Sequence, residues 1–291
     1  MRFSIQHTVS YTYAAPVSFG RHLFLLHPRE SRRVRVHQFQ LETDPSGQTR
    51  WIKDAFDNPV LSMHFDLSEF ETLSIRSSME VSGNESNPFD FILEGDATTF
   101  PFSYCPEDKV VLRPYIDRVP NGSDTVLEWL ELPPVESLPE SETVGFLSEM
   151  NRRIFEGVVY RAREEEGIQD PDRTISLGSG SCRDMAYLMM AACRRLGLAA
   201  RFVSGYLCDP SGDLEGFDRA AGAMHAWVEV YLPGAGWKGF DPTNGILADG
   251  CFFPCAVASA PATASPVQGN YFSRQSVASS CQAHVSILSL D

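Results

Sequence analysis

Three short stretches hold the residues that can do chemistry. They are a cysteine in Gly180-Ser181-Cys182-Arg183-Asp184-Met185-Ala186, a histidine in Met224-His225-Ala226-Trp227, and an aspartate in Phe240-Asp241-Pro242-Thr243. A thiol is an effective nucleophile as its thiolate, which a helix N-terminus or a nearby imidazole favours; the imidazole in turn needs a carboxylate to hold its tautomer. Cys182, His225 and Asp241 supply one group each, so the chemistry indicated is that of a Cys-His-Asp hydrolase or transferase.

The cysteine is placed by its neighbours. Ser181-Cys182-Arg183-Asp184 fits a capping box, in which the serine hydroxyl accepts from the Asp184 amide and the Asp184 carboxylate reaches back. Cys182 then occupies the first helical position, where unpaired amides and the positive end of the helix dipole favour thiolate and the Cys182 amide points to where an oxyanion would form. Gly178 and Gly180 let the chain turn sharply and leave room for a carbonyl. The competing reading is a buried packing cysteine. That reading suits Cys193, which lies among Met189, Met190, Ala192 and Leu196 on an apolar helix stripe, better than a glycine-flanked helix entry.

His225 is the one histidine between His64 and His284. It opens a strand pattern in which His225, Trp227, Glu229 and Tyr231 share one face and Ala226, Val228, Val230 and Leu232 the other. A lone strand histidine can equally be structural. The turn Pro233-Gly234-Ala235-Gly236 leads back to Asp241, and the register decides its use. If Leu232 pairs with Gly236, Asp241 lies one pleat from His225 on the same face; if Leu232 pairs with Trp237, the faces are opposite unless a bulge intervenes. Asp241-Pro242-Thr243-Asn244-Gly245 also reads as an ordinary turn.

The elements that must position these groups fall into three stretches. Residues 1–85 alternate in strand fashion, as in Ser4 to Tyr13 and Val34 to Leu41, with turns at Asp44-Pro45-Ser46-Gly47 and Asp57-Asn58-Pro59, and predict an N-terminal antiparallel β-sandwich. Residues 86–140 carry eight prolines and predict a wrapping connector with short helices, such as one from Asp124 to Leu130. Residues 141–291 predict an α+β core and C-terminal strands. Its first helix would be capped by Ser141, with Val144, Leu147, Met150 and Ile154 inward; the cysteine helix follows, then strands 200–207, 225–232 and 237–241, with helices packed on an antiparallel sheet.

Composition narrows the partners. The 291 residues, 43% hydrophobic, suit a globular chain, and the net charge of -14 disfavours nucleic acid or an anionic membrane. Met1 to His7 lacks the apolar core of a secretory signal, so a cytoplasmic location is expected. Seven scattered cysteines argue against a disulfide framework, the Cys251/Cys255 spacing is poor for zinc, and no HExxH pattern occurs, so neither metal nor cofactor is expected.

The four stretches Gly180 to Ala186, Ala199 to Leu207, His225 to Trp237 and Phe240 to Gly245, in this order, resemble the bacterial transglutaminase-like superfamily. The segments His7 to Tyr13, Pro16-Val17 and Asp54 to Asn58 resemble the β-domain that precedes the core in many members. The resemblance implies a papain-like centre on Cys182, His225 and Asp241, acting on amide bonds through a thioester: with water as acceptor a protease or amidase, with an amine a transglutaminase. Peptides, proteins or small amides are then the substrates. Tyr160 is a candidate second oxyanion donor and equally a core tyrosine. The chain departs from the family pattern after Asn244, where Cys251 to Cys255 and Ala256 to Ser265 replace a more charged stretch. The alternative is a catalytically idle binding or scaffold protein with the same fold.

Overall fold

A computed structural model describes residues 1–66, 68–84, 87–117, 125–163, 167–208 and 224–290. The alternating N-terminal segments form β1 (Arg2–Phe19), β2 (His22–Phe24), β3 (Val34–Asp44), β4 (Gln48–Lys53), β5 (Pro59–His64) and β6 (Glu69–Gly83). β1, β6 and β3 pair antiparallel in one sheet, and β2, β5 and β4 in a second. Every second residue of β1 from Phe3 to Val9 is buried, as a half-buried strand requires. The two sheets meet across Tyr13, Val17, Phe24, Leu61 and Ile75, which gives the expected sandwich.

The proline-rich stretch does more than wrap. It contains β7 (Thr99–Phe100), α1 (Pro106–Ile116) and α2 (Thr125–Trp129), the last within the helix expected over Asp124 to Leu130, of which Asp124 lies outside the described residues. α1 tolerates its prolines because Pro106 occupies the first turn, where no amide partner is needed, and Pro114 lies near the end. Val126 and Leu130 of the α2 region enter the main core.

That core begins with β8 (Ser141–Glu142), paired to β7, and α3 (Thr143–Gly157). Leu147, Met150 and Ile154 are buried as the periodicity requires, whereas Val144, expected with them, is only half-buried in the first turn; the cap is Glu142 rather than Ser141: its carboxylate accepts from the Val144 and Gly145 amides, while Ser141 is held in β8. Then come β9 (Val159–Tyr160), α4 (Pro171–Leu177), β10 (Ser179–Gly180) and α5 (Cys182–Arg195). The strands β11 (Ala200–Leu207), β12 (His225–Leu232), β13 (Gly236–Asp241), β14 (Ile246–Leu247) and β15 (Phe252–Ala258) form an antiparallel sheet in the order β14-β13-β12-β11-β15. α5 is apolar on all sides because it lies inside, between the Ala226/Val228/Val230 face of this sheet and helices α2, α3 and α4. Helices on an antiparallel sheet are the α+β arrangement expected.

The chain end returns to the first sheets. β16 (Val267–Gln268) pairs with β2, and β17 (Tyr271–Phe272) and β18 (Ser279–Ser289) pair with β1. The stretch 141–291 is therefore divided in space between the core and the N-terminal sheets. Sandwich and core also share an apolar seam of Phe3, Ile5 and Val81 against Tyr206 and Phe253. Asn58, fully buried, closes it as a strand would: its amide donates to the Val257 carbonyl at 2.8 Å and its carbonyl accepts from the Val257 amide at 2.9 Å.

Candidate active site

The entry to α5 is built from tight turns. Gly178, at φ 58°, ends α4 in the left-handed region, and β10 then runs parallel to β9, with Gly180 opposite Tyr160. A Cβ on Gly180 would lie 2.9 Å from that of Asp184, so glycine lets the chain approach its own helix. The capping box between Ser181 and Asp184 forms. The buried Asp184 carboxylate accepts from the Ser181 amide at 2.8 Å and hydroxyl at 2.9 Å, the Gln169 amide at 2.7 Å and the Arg163 guanidinium at 2.9 Å. Arg183 donates to the Arg163 carbonyl at 3.2 Å. Two irregular segments are thus tied to one carboxylate, and Cys182 sits at the first helical position, 7% exposed.

The partner groups come from the hairpin. Leu232 pairs with Gly236, the register that puts Asp241 on the face of His225. His225 Nε2 lies 2.8 Å from Asp241 Oδ2, with both side chains fully enclosed. Asp241 is itself held: Oδ1 accepts from the Thr243 amide at 2.9 Å and Oδ2 from the Asn244 side-chain amide at 2.7 Å. The residues after Asp241 thus do form a turn, and the turn fixes the carboxylate. Trp227 stacks on the imidazole at 6.1 Å between centroids, and Phe252 lies at the same distance.

Electrostatics favour a charged imidazole. Burial opposes protonation of His225, but the Asp241 charge and hydrogen bond, followed by Cys182, overcome it and raise the pKa to about 10. Nδ1 has no completed hydrogen bond; Cys182 interacts with the ring, the loosely aligned arrangement of a resting nucleophile and base. Tyr160 lies near enough for the Cys182 charge to act on it: burial first, then that charge, push its phenol up to about 12. Among the described residues no cluster of histidine, cysteine and carboxylates could hold a metal ion.

Residues 136–242 match the family described as transglutaminase-like superfamily, and residues 3–82 match the bacterial transglutaminase-like N-terminal region. An uncharacterised protein of Mycobacterium tuberculosis is 31% identical over 268 residues, covering 85% of this chain and 80% of that one. The chain belongs to the transglutaminase-like superfamily. A Mycobacterium leprae relative, also uncharacterised, is 26% identical over 284 residues and covers 94% of each. The solved structure of a candidate cysteine protease from Cytophaga hutchinsonii has a TM-score of 0.74 at 19% identity, covering all of this chain and 91% of that one, which shows the shared fold.

In this transglutaminase-like chain the four residues singled out from the sequence, Cys182, His225, Asp241 and Tyr160, lie at one place. The groups that hold them were less visible. Arg163 and Gln169 sit in a stretch without periodicity, and Asn244 had read only as a turn residue. β15, which carries part of the departure from the family pattern, is a sheet strand bearing Phe252 beside His225.

Proposed function

We propose that this chain is a cysteine-dependent amide-bond hydrolase or acyltransferase. Cys182 is its nucleophile, His225 its acid and base, and Asp241 the residue that orients the imidazole. The observation that carries the reading is the enclosed His225–Asp241 pair at 2.8 Å with Cys182 acting on the same ring. Burying a histidine and a carboxylate costs stability unless they are paired, and a paired imidazolium beside a thiol at a helix start is suited to nucleophilic catalysis.

The thiolate attacks the amide carbonyl carbon and forms the C–S bond. The carbonyl oxygen gains negative charge and is met by the Cys182 amide, one of the helix amides with no partner inside the helix, and by the Tyr160 hydroxyl, which stays protonated. The C–N bond breaks as the His225 imidazolium protonates the leaving amine, leaving a thioester. His225 then takes a proton from water, whose attack releases a carboxylic acid and the thiol; an amine in its place yields a new amide. Peptide or protein substrates, or small amides, fit this reaction.

The test is trapping of an acyl-thioester from glutaminyl peptides and small amides, with and without added amine. Mass spectrometry must locate the adduct, because Cys105 and Cys281 are also exposed to reagents. An adduct on Cys182, lost with turnover in Cys182→Ala, supports the reading. Turnover that persists in Cys182→Ala overturns it.

A further inference from the structure

A cavity is bordered by Trp227. It has a volume of about 400 Å³ and opens between the sandwich segment Arg29 to Val34 and the sheet face carrying Arg201, Glu229 and Trp237, a size within the range of small-molecule sites. Apolar groups border it: Trp237 is half-buried, and Trp227, Phe252 and Val257 lie buried beneath.

Its charge is opposite to that of the molecule. The chain carries -14, yet Arg29, Arg32, Arg33 and Arg201 converge on this one cavity. Among the described residues, only Arg201 of these four has an ion-pair partner, Glu229. Three carboxylates also line it: Glu229 pairs with Arg201 at 2.6 Å, while Asp249 and Glu30 accept from the Cys251 amide at 2.8 Å and the Val36 amide at 3.2 Å and keep their charge, so five cations, Lys238 included, face three anions. The cations crowd one another. Burial and then the Arg201 charge lower the pKa of Arg29, more than Glu229, Asp57 and Asp54 raise it, and burial and then the Arg33 charge lower that of Lys238 at the cavity edge, more than Asp90 raises it. Arg201 also lies over the Trp237 ring, 4.2 Å from its centroid, so the guanidinium is held against that ring. An excess of cations around a concave site focuses a positive potential that suits an anion.

We propose that this cavity binds a small organic anion, with its carboxylate or phosphate group on Arg32 and Arg33 and its apolar body against Trp237, above the buried Trp227. Trp227 belongs to both sites: the residue that borders this cavity is the one that stacks on His225. The occupant therefore sits one aromatic ring away from the imidazole. Arginine suits the head group because its planar fork matches the two oxygens of a carboxylate or phosphate.

Isothermal titration calorimetry with the intact chain tests this, independently of any turnover. The probes are phenyl phosphate, phthalate, inorganic phosphate and neutral benzamide. Binding of phenyl phosphate or phthalate that weakens with salt, exceeds that of benzamide, and falls about tenfold or more in the Arg32→Gln/Arg33→Gln variant supports the site. Neither side chain takes part in a hydrogen bond or ion pair among the described residues, so the folded state should survive, as a thermal melt will check. The preferred aromatic probe distinguishes phosphate from carboxylate, and inorganic phosphate reports how much the apolar contact adds. Arg76→Gln, exposed on β6, controls for general charge. No heat with either aromatic anion up to about 10 mM, or an equal loss in Arg76→Gln, overturns the proposal.

Discussion

Asp241 is the last residue of β13 and His225 the first of β12, and their side chains meet at 2.8 Å because Leu232 and Gly236 close the hairpin in the register that puts both on one face. A slip of one residue would send Asp241 through the sheet, towards the α5 side. The turn glycines set this geometry: Gly234 and Gly236 have φ of 84° and 73°, conformations that a side chain resists.

Asp241→Asn removes the largest influences that raise the His225 pKa, leaving burial, which lowers it, against the smaller raising effect of Cys182. In the native chain the imidazolium persists well above its ordinary 6.5, so the alkaline limb of turnover should lie towards pH 10. In the variant His225 loses its proton at lower pH, and the limb moves down. The same sign holds for stability: a raised folded pKa contributes stability below about pH 6.5 that is lost as pH climbs through the folded value. Turnover should also drop by about 10²- to 10⁴-fold, as when a comparable orienting carboxylate is neutralised. A pH–rate profile with the native alkaline limb in Asp241→Asn would remove Asp241 from the mechanism.

His7 makes the seam between sandwich and core sensitive to acid. It is buried in β1, 3.0 Å from the Tyr206 hydroxyl, and burial, then the nearby His284, lower its pKa to about 4. The unfolded chain takes up the proton first, so stability is full above about pH 6.5 and is lost as pH falls through 4, by roughly 3 kcal/mol in all. His7→Gln keeps a polar group near Tyr206 but cannot titrate, and its unfolding free energy should fall less steeply between pH 6.5 and 4. Equal slopes in urea titrations of both proteins would refute the assignment.

Asp184→Ala should destabilise the chain by about 3–5 kcal/mol, since it leaves Arg163, Gln169 and Ser181 with buried donors and no acceptor. Alkylation of Cys182 should slow even at temperatures where the variant is folded, because the same carboxylate fixes the turn before the helix. Denaturant melts and peptide-resolved iodoacetamide rates check the two effects separately; a native alkylation rate in the folded variant would confine Asp184 to a stabilising role.

The sequence was most legible where local chemistry decides structure. Ser181 and Asp184 are three residues apart, so a capping box could be read directly, and the short loop between Leu232 and Gly236 left two registers to choose from. Long-range and substitutable features were harder. Ser141 and Glu142 can both cap a helix, and pairing of β8 with β7 decided between them. Pro114 hid α1 because proline is tolerated near a helix end. The return of β18 to β1 across the whole chain has no local signature, and neither has the ion pair of Arg163 with Asp184, formed between segments 21 residues apart.

Gly205 tests the packing behind the imidazole. It lies in β11 where the pairing with β15 shifts register, and a Cβ there would stand 2.2 Å from the Phe253 carbonyl oxygen and 2.9 Å from both the Pro254 Cα and the Trp227 ring. Two of those neighbours are backbone in a paired strand and cannot swing aside, so Gly205→Ala must push β15 outward, tilt Trp227, or both. Overpacking of this kind costs about 1–3 kcal/mol. Because Trp227 stacks on His225, turnover should fall further than the stability loss alone implies. Gly95→Ala is the matched control: nothing lies within 4 Å of its Cβ position and its φ is not positive, so its melting temperature should stay near native. If Gly205→Ala melts and turns over like Gly95→Ala, the close approach of β11, β15 and Trp227 is not what holds the imidazole in place.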